Sequence, residues 1–495
     1  MLFNSFHFMI FLPIVALLYF IITPRFRWMW LLVTSYYFYM CWNPKYALLI
    51  ATSTLITYLS GVLISNADRI TDESKRKRVK KLYVFLSLFI NLGILFIFKY
   101  YGFFSTTVGR VLSIFNISIA FPSFDLLLPV GISFYTFQAL SYTIDVYRGD
   151  IKAEKNIGKY ALFVSFFPQL VAGPIEKSKD LLNQFNETHS FDYYRTRDGL
   201  MLMLWGFFQK IVVADRLAIL VNTVYNNPTE YAGIQIIVAS IFFAFQIYCD
   251  FASYSNIAIG VAQILGYRLT INFRQPYFSK SIKEFWRRWH ITLGAWFRDY
   301  LYIPLGGNRK GKLRSYINIM IIFLCSGLWH GASINFVIWG GLHGLYQVIG
   351  DVLKPVKNKI IDKWSINTKV FSYKFIQAVI TFILVDFAWI FFRANSFSDA
   401  MIIVKKLFVY NPWTIADGSL LTLGLDAKDF LVAIVSIIII VVIDYIQTRM
   451  RVRENVSKQN LVFRWGVYIG IIFIIMVFGI YGPEYSAQQF IYFQF

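Results

Sequence analysis

Residues 316–350 read YINIMIIFLCSGLWHGASINFVIWGGLHGLYQVIG, two apolar runs that meet at His330 and Gly331. A helix needs about 20 apolar residues to cross the hydrocarbon core of a bilayer, and each run comes close to that length. The pattern predicts helices at 316–333 and 334–350, and it leaves open whether the pair crosses the membrane completely. Either way, His330 and His343 fall in an apolar region where ionisable side chains are rare.

Apolar runs of this kind recur along the whole chain, at roughly 5–23, 27–44, 46–65, 83–101, 126–146, 200–221, 234–256, 375–393, 429–446 and 464–482. Several are short or carry polar residues, so we predict about 11 spans, give or take two. The composition agrees, because 57% of the 495 residues are hydrophobic and 15% are charged, against about 25% charged in soluble domains. The sequence therefore predicts an all-α polytopic membrane protein, with residues 1–495 as one domain and the lipid bilayer as its partner.

The basic residues lie in short runs between the apolar segments. The net charge is +21, and residues 267–314 alone hold eleven Lys and Arg against two acidic residues. Such loops are typical of the cytoplasmic side of membrane proteins, which argues against a nucleic-acid partner. Placing them in the cytoplasm leaves both chain ends outside, provided that residues 157–175 re-enter instead of crossing. Cys41, Cys249 and Cys325 form no CxxC pair, so we expect no disulfide framework and no metal site.

Two segments interrupt the simple pattern of spans. Residues 157–175 carry Pro168, Gly173 and Pro174 in an apolar context, and residues 281–305 are both aromatic and basic. The second segment is too charged for a span and too aromatic for a loop, so an interfacial or re-entrant helix fits it. Irregular backbone at membrane depth is tolerated only beside protein or a water-filled cavity. These two segments therefore indicate a cavity.

His330 is the first candidate for chemistry. It follows an apolar run between Trp329 and Gly331, and an ionisable group in a span is functional by default. A neutral imidazole is a natural general base towards a hydroxyl, since its pKa lies near working pH. The alternative, a structural histidine that hydrogen-bonds a neighbouring helix, stays open on the residues alone.

His290 lies in a cationic and aromatic surround that contains Trp286, Arg287, Arg288, Arg298 and Asp299. Such a surround suits an anionic ligand such as a phosphate-bearing acyl donor. An interfacial helix with snorkelling arginines explains the same residues equally well. His343 is better explained as structural, because Gly340, Gly341 and Gly344 indicate tight helix packing.

Two further polar features are ambiguous. Asp250 lies in YCDFASYSN, within an apolar span, and needs a partner there; a structural polar network explains it best. The chain ends in FIYFQF at residues 490–495. This end is either an interfacial aromatic anchor or a tail that folds back into a cavity and presents the Tyr492 hydroxyl.

Several long motifs resemble the membrane-bound O-acyltransferase (MBOAT) family. They are RRWHITLGAWFRDYLYIPLGGNR, LWHGASINFVIWGGLHG, LVAGPIEK, YCDFASYSNIAIG and PVGISFYTFQALSYTIDVYRG. Within that family they are most similar to bacterial polysaccharide O-acetylation proteins such as the alginate O-acetyltransferase membrane subunit. The similarity is strong from about residue 120 to 345 and weaker towards both ends. It implies a ring of about 11 transmembrane helices, with re-entrant or interfacial helices around a tunnel.

The resemblance also implies roles for individual residues. His330 matches the family's expected catalytic histidine, and His290 matches the second histidine of the RRWH motif. The terminal FIYFQF is similar to a motif proposed to present a tyrosine as a transient acyl carrier, which makes Tyr492 the third expected catalytic residue. Six residues are expected to bind substrate: Arg287, Arg288, Trp289, Arg298, Asp299 and Trp329.

The implied reaction transfers an acetyl group from cytoplasmic acetyl-CoA, with no permanently bound cofactor and no metal. The acceptor is a polysaccharide outside a bacterial cytoplasmic membrane, reached through a partner such as an SGNH-like acetyltransferase or the polysaccharide machinery. One alternative is a D-alanyl exporter for teichoic acid, whose aromatic terminal motif resides on a separate small protein. The other is a non-enzymatic polysaccharide or lipid transporter, which leaves the two histidines in Trp- and Gly-rich motifs unexplained.

Overall fold

A computed structural model of the chain describes residues 1–119, 121–122, 128–481 and 490–491, and within these ranges it contains helices and no strand. The α-helices are α1 (Phe6–Ile21), α2 (Arg27–Met40), α3 (Tyr46–Asn66), α4 (Glu73–Leu95), α5 (Tyr101–Ile114), α6 (Ile132–Arg148), α7 (Ile157–Ser165), α8 (Ser178–Leu181), α9 (Tyr193–Phe207), α10 (Asp215–Asn226), α11 (Ile234–Leu265), α12 (Ile282–Arg288), α13 (Ile291–Phe297), α14 (Lys312–His330), α15 (Ile334–Lys363), α16 (Phe371–Arg393), α17 (Phe397–Lys406), α18 (Ala427–Gln447), α19 (Val452–Ser457) and α20 (Leu461–Phe478).

Shorter helical segments connect some of these helices. Segments of π-helix occur at Phe96–Tyr100, Phe208–Ala214 and Arg298–Tyr302. Turns of 3-10 helix occur at Pro24–Phe26, Ala67–Arg69, Leu182–Asn186, Pro276–Phe278, Pro412–Ile415 and Ser419–Thr422. Insertions of π-helix are rare and are frequently found at functional sites.

Side-chain caps mark where many of the helices begin. Asp72 accepts hydrogen bonds from the backbone N–H groups of Ser74 and Lys75, and Ser333 accepts one from Asn335. These acceptors satisfy N–H groups that have no partner within the first helical turn. The caps fix the entry to α4 and to α15, so that His330 ends one helix only three residues before the capping Ser333 of the next.

Seven helices of the described part of the chain are long and apolar enough to cross a membrane: Tyr46–Arg69, Glu73–Ile114, Ile234–Leu265, Ile334–Lys363, Phe371–Arg393, Ala427–Gln447 and Leu461–Phe478. The all-α polytopic prediction is confirmed. The count of about eleven is not, because predicted spans such as 5–23 and 27–44 are helices of only 16 and 14 residues.

Large apolar side chains cover the outer faces of these helices. On α20, Ile469, Phe473 and Met476 are each more than half exposed, and only Tyr468 is buried. A soluble protein rarely exposes a contiguous apolar surface of this extent, whereas acyl chains of a bilayer cover it without cost. The helices therefore belong to a multi-pass integral membrane protein.

The chain forms two compact units. The first comprises Met1–Leu200 and Ile257–Thr270. Buried hydroxyl and amide groups join its helices: the Ser53 hydroxyl of α3 donates to Asn91 Oδ1 of α4 at 2.6 Å, and the Tyr160 hydroxyl of α7 donates to Thr57 of α3 at 2.7 Å. Each polar group finds its partner on a neighbouring helix, as an apolar surround requires.

The second unit comprises Met201–Asn256 and Ile271–Phe495. Its core is aromatic, with the buried indoles of Trp289, Trp339 and Trp389 packed together. This unit contains α12, α13, α14 and α15, and with them every candidate site residue of the sequence that the structure describes. The prediction that residues 1–495 form a single domain stays a prediction.

The segments that interrupt the span pattern are irregular in the structure as well. Residues 157–175 form only the nine-residue α7, followed by buried non-helical backbone. Residues 281–305 form two seven-residue helices, α12 and α13, with His290 between them and a π-helical segment after them. Neither segment is a helix of membrane-spanning length.

Helices α14 and α15 approach closely because glycines line their contact. A Cβ atom added to Gly340 would lie 2.2 Å from the backbone oxygen of Phe323, whereas one added to Gly341 would meet only the Leu324 side chain at 3.7 Å. Small residues at a helix contact let two backbones pack against each other in a membrane. The contact sets how His330, the last residue of α14, faces α15.

We therefore expect Gly340→Ala to lower the midpoint temperature of thermal unfolding in detergent, because overpacking of a closed contact costs about 1–3 kcal/mol. Gly341→Ala is the matched control on the same helix. It should leave the midpoint unchanged or raise it slightly, since alanine favours a helix by up to about 1 kcal/mol over glycine. Equal midpoints for the two variants would contradict the close backbone contact.

Candidate active site

His330 ends α14 in a buried aromatic surround. The residue is 4% exposed. The ring lies edge-on to Trp339 of α15 with centroids 4.9 Å apart, and 5.5 Å from the ring of Phe392 on α16. Gly331 follows it in an extended conformation, under the Phe336 ring, where a Cβ atom would have no room. Packing on these sides fixes the orientation of the imidazole.

His290 lies between α12 and α13 and is fully buried. Its backbone is left-handed, with φ at 43°, a conformation that is uncommon for residues other than glycine. Two backbone hydrogen bonds flank it: the Ile291 N–H donates to the backbone carbonyl of Asn272, and the Arg274 N–H donates to the backbone carbonyl of Arg288. Residues held in sparsely populated conformations cluster at functional sites.

Asn272 fixes the tautomer of His290. The Oδ1 atom of Asn272 accepts the backbone N–H of Thr292 at 3.3 Å and lies 3.2 Å from His290 Nδ1. A backbone N–H can only donate, so the atom facing it is the amide oxygen, and His290 Nδ1 must carry a proton to bond to that oxygen. Burial lowers the pKa of His290 to about 3. The neutral ring therefore presents the lone pair of Nε2.

The two histidines meet across an aromatic site. Their ring centroids are 6.4 Å apart. The Trp329 ring contacts both, with its centroid 5.8 Å from that of His290 and 5.0 Å from that of His330, and the Phe251 ring lies edge-on to His290 at 4.7 Å. An imidazole nitrogen that carries a lone pair in a surround of this kind can accept a proton from a hydroxyl that reaches it.

His343 lies beside this pair and is fully buried. The Trp286 indole N–H donates to its Nδ1 at 3.2 Å, and the Phe285 ring stacks on it nearly parallel. Its helix, α15, is the one whose glycines pack on α14. These contacts agree with the interpretation that His343 is structural.

The other predicted substrate-binding residues are distributed differently. Trp329 lies in the site, whereas Trp289 is fully buried in the adjacent core, stacked on Phe285. Arg287 is exposed, Arg288 pairs with Glu284 at 2.6 Å, and Arg298 pairs with Asp299 at 2.7 Å. The arginines are thus at the surface of the unit and not against the histidines. Tyr492 lies outside the described residues.

Sequence reasoning missed two groups of residues. Asn272 has no unusual context in the sequence and becomes visible only through its bonds to His290 and Thr292. Lys210 lies in the apolar run 200–221, and its Nζ pairs with Asp250 at 2.6 Å and with Asp215 at 2.9 Å. The sequence does contain a sign of Lys210, because an ionisable residue within an apolar run indicates a functional site.

Comparisons with known proteins identify the class. Residues 154–360, which include both histidines of the site, match the model of the membrane-bound O-acyltransferase family. The chain is 37% identical over 450 residues to the probable alginate O-acetylase AlgI of Pseudomonas syringae pv. tomato, a match that covers 90% of this chain and 82% of that protein. The chain therefore belongs to the membrane-bound O-acyltransferase family, and it is a membrane-bound acyltransferase.

Two further relatives differ in the acceptor that their names give. The chain is 33% identical over 455 residues to the peptidoglycan O-acetyltransferase of Helicobacter pylori, covering 85% of this chain and 81% of that protein. It is 32% identical over 260 residues to the teichoic acid D-alanyltransferase of Streptococcus thermophilus, covering 47% of this chain and 59% of that protein. The O-acetylating relatives match over far more of the chain than the D-alanylating one.

The Asn272 contacts generate a prediction. Asn272→Leu should lower acyl transfer roughly tenfold, because losing a hydrogen bond of about 1 to 1.5 kcal/mol that orients His290 changes a rate by that factor. The initial rate of transfer in membranes, corrected for protein amount, measures it. Thr292→Val removes one hydroxyl bond to the same oxygen, leaves the His290 bond in place, and should cost less. A rate for Asn272→Leu at or above that of Thr292→Val would refute the orienting role.

Proposed function

We propose that the chain moves an acetyl group from cytoplasmic acetyl-CoA towards a polysaccharide outside the membrane, with His330 as general base, His290 assisting and Tyr492 as a transient carrier. The observation that supports this most is the pair of buried imidazoles 6.4 Å apart in an aromatic surround. Acyl transfer to a hydroxyl needs a base that is neutral at working pH and protected from water, which would otherwise hydrolyse the acyl group.

The first step is transfer to the chain itself. His330 takes the proton of the Tyr492 hydroxyl as that oxygen attacks the thioester carbonyl carbon. The tetrahedral intermediate collapses, the carbon–sulfur bond breaks, and the leaving thiolate takes the proton from the His330 imidazolium. The products are an acetyl ester of Tyr492 and free coenzyme A. Dividing a difficult transfer into two through a covalent intermediate is ordinary catalytic logic.

His290 assists as an acceptor. With Nδ1–H directed at Asn272 Oδ1, its remaining nitrogen accepts a hydrogen bond from a hydroxyl or from the N–H of a protonated neighbouring ring. In that tautomer it does not donate to the oxyanion of the intermediate. Its contribution is therefore to orient the attacking hydroxyl or His330 and to stabilise the imidazolium that forms.

The arginines at the surface of the second unit suit the phosphates of acetyl-CoA. Arg287 is exposed, and Arg288 and Arg298 are held by the carboxylates of Glu284 and Asp299. Surface ion pairs of this kind contribute little to stability, about 0–1 kcal/mol. A phosphate can therefore replace the carboxylate of Glu284 or Asp299 at small cost. Arginine binds phosphate through two parallel hydrogen bonds, which makes these three residues the proposed contacts for the donor.

The second step delivers the acetyl group to the polysaccharide. The names of the relatives give alginate and peptidoglycan as acceptors, and both polymers lie outside the cytoplasmic membrane of a bacterium. We infer that this chain resides in that membrane. An SGNH-like acetyltransferase or the polysaccharide machinery outside would take the acetyl group from Tyr492 and transfer it to a sugar hydroxyl.

Two variants test the scheme. His330→Ala should lower ester-linked acetate on the cell's polysaccharide by about 10²-fold or more, the range that loss of a general base produces. Tyr492→Phe, which removes only the hydroxyl oxygen, should lower it comparably. His7→Gln and Tyr410→Phe change an exposed histidine and an exposed tyrosine and should leave acetylation unchanged.

The intermediate itself is measurable. Purified chain incubated with acetyl-CoA labelled in the acetyl group should carry label on the peptide that contains Tyr492, and His330→Ala should prevent the labelling. Normal acetylation by either active-site variant, at normal expression, would refute the scheme. Loss of ester-linked alanine instead of acetate in a deletion strain would assign the chain to D-alanyl transfer.

A further inference from the structure

The second unit contains a buried group of charges that the acyl-transfer scheme does not use. Lys210 lies in the π-helical segment Phe208–Ala214, Asp215 begins α10, and Asp250 lies in the middle of α11. All three side chains are at most 5% exposed. The Lys210 ammonium lies between the two carboxylates, 2.6 Å from Asp250 Oδ1 and 2.9 Å from Asp215 Oδ1.

The end of the chain reaches this charge group. The backbone N–H of Ile491 donates to Asp250 Oδ2 at 2.6 Å. The Phe490 ring lies over the Lys210 ammonium, 4.4 Å from nitrogen to centroid, and edge-on to the Tyr254 ring at 5.1 Å. Phe490 and Ile491 are both buried. Of the two sequence hypotheses for the tail, these contacts favour the one in which it folds back into the protein.

The same π-helical segment and the first turn of α10 also contact the chain before residues 482–489. The backbone N–H of Ile480 donates to the Ile211 carbonyl at 3.0 Å, and the Arg216 guanidinium donates to the Phe478 carbonyl at 2.5 Å. A π-helical segment disturbs the regular hydrogen-bond ladder of a helix, which leaves the Ile211 carbonyl able to accept a bond from outside. The chain therefore contacts this region both as it leaves α20 and at residues 490–491.

We propose that Lys210, Asp250 and Tyr254 form a binding site for an extended aromatic–aliphatic peptide segment, occupied here by Phe490 and Ile491, and that this site sets the position from which Tyr492 is presented. The second half of the proposal rests on the carrier role proposed for Tyr492. The first half, that these side chains bind residues 490–491, does not.

The division of Asp250 between two partners distinguishes the site from ordinary packing. One carboxylate oxygen binds the ammonium, and the other binds a backbone N–H of the tail. A hydrogen bond to a carboxylate is about twice as strong as one between neutral groups, and a ring face attracts a cation by its quadrupole. Asp250 recognises a backbone N–H, and the Lys210 ammonium recognises an aromatic ring one residue earlier. Together the two contacts fix the register of residues 490–491.

Register matters because Tyr492 is the residue next to Ile491. Consecutive Cα atoms are about 3.8 Å apart, so a fixed Ile491 N–H limits the distance that the Tyr492 hydroxyl can cover. A shift of the tail by one residue would put a different side chain at that position. A binding site for residues 490–491 thus selects Tyr492 from the four residues at the chain end.

Photocross-linking of the full-length chain in lipid nanodiscs tests the binding site. 4-Azidophenylalanine at position 490 should cross-link on irradiation to peptides that contain Lys210 and Tyr254, identified by mass spectrometry. Asp250→Asn leaves one accepting oxygen for two donors, the Lys210 ammonium and the Ile491 N–H, and should reduce the yield several-fold. Asp386→Asn neutralises another buried carboxylate of the same unit, one that accepts from Ser240, and should leave the yield unchanged.

A second pair of variants changes only the tail, so it stays informative if Asp250→Asn fails to fold. Ile491→Pro removes the donating N–H and should reduce the cross-link several-fold. Ile491→Val keeps the N–H and should preserve it. Cross-links mainly to lipid or to other segments, or equal yields for proline and valine at 491, would overturn the binding site.

Acetylation assays on the same variants separate the two proposals. Tyr492→Phe should abolish acetylation and keep the cross-link at full yield. If Tyr492→Phe acetylates normally, the carrier role is wrong while the cross-link still tests the site. If Asp250→Asn and Ile491→Pro reduce the cross-link and acetylation together, the site presents the carrier; a reduced cross-link with normal acetylation would overturn that presenting role.

Discussion

The contact of the Lys210 ammonium with two buried carboxylates is the interaction on which this part of the structure depends. A charged side chain near the centre of a membrane helix costs about 2.5–3.5 kcal/mol on insertion scales, and removing one partner of a buried pair costs about 3–5 kcal/mol because the other charge remains. Lys210, Asp215 and Asp250 must therefore stay together. Their ion pairs bind the π-helical segment, α10 and α11 into one arrangement, and they leave one Asp250 oxygen for the chain end.

Local sequence pattern was enough to predict the helices but not their ends. Each apolar run that the sequence marks overlaps a helix, because a backbone in hydrocarbon must satisfy its hydrogen bonds within the segment. The run at 27–44 becomes a helix only to Met40, since residues 41–45 turn towards the start of α3. The π-helical segments were not predictable, because tertiary contacts such as that of Ile480 with the Ile211 carbonyl support them.

For the site, the sequence singles out the two histidines proposed as catalytic but not the residues that contact and orient them. His330 lies in an apolar run and His290 in an aromatic and basic segment, so both histidines stand out in the sequence. Their catalytic roles, however, come from the resemblance to the family and not from the residues alone. Periodicity relates residues only three or four positions apart, whereas Asn272 lies 18 residues before His290 and Asp250 lies 40 residues after Lys210. For Arg288 and Arg298 the sequence shows the charge but not the ion pairs with Glu284 and Asp299 that partly neutralise it.

The proposed scheme separates the chemistry of transfer, assigned to the imidazoles, from the delivery of the hydroxyl, assigned to the chain end. The imidazoles are fixed by packing and by Asn272, so they are ready before any nucleophile arrives. A hydroxyl on a tethered and anchored segment reacts as part of the same molecule, and well-oriented intramolecular reactions reach effective concentrations of about 10⁵–10⁸ M. In the proposed binding site the anchor is the Ile491 N–H and the Phe490 ring, so holding the segment does not require a contact from the reacting residue itself. In the proposed scheme the carrier then releases its acyl group outside the membrane, and an anchor limited to one backbone hydrogen bond and one ring contact allows the segment to exchange between bound and released positions.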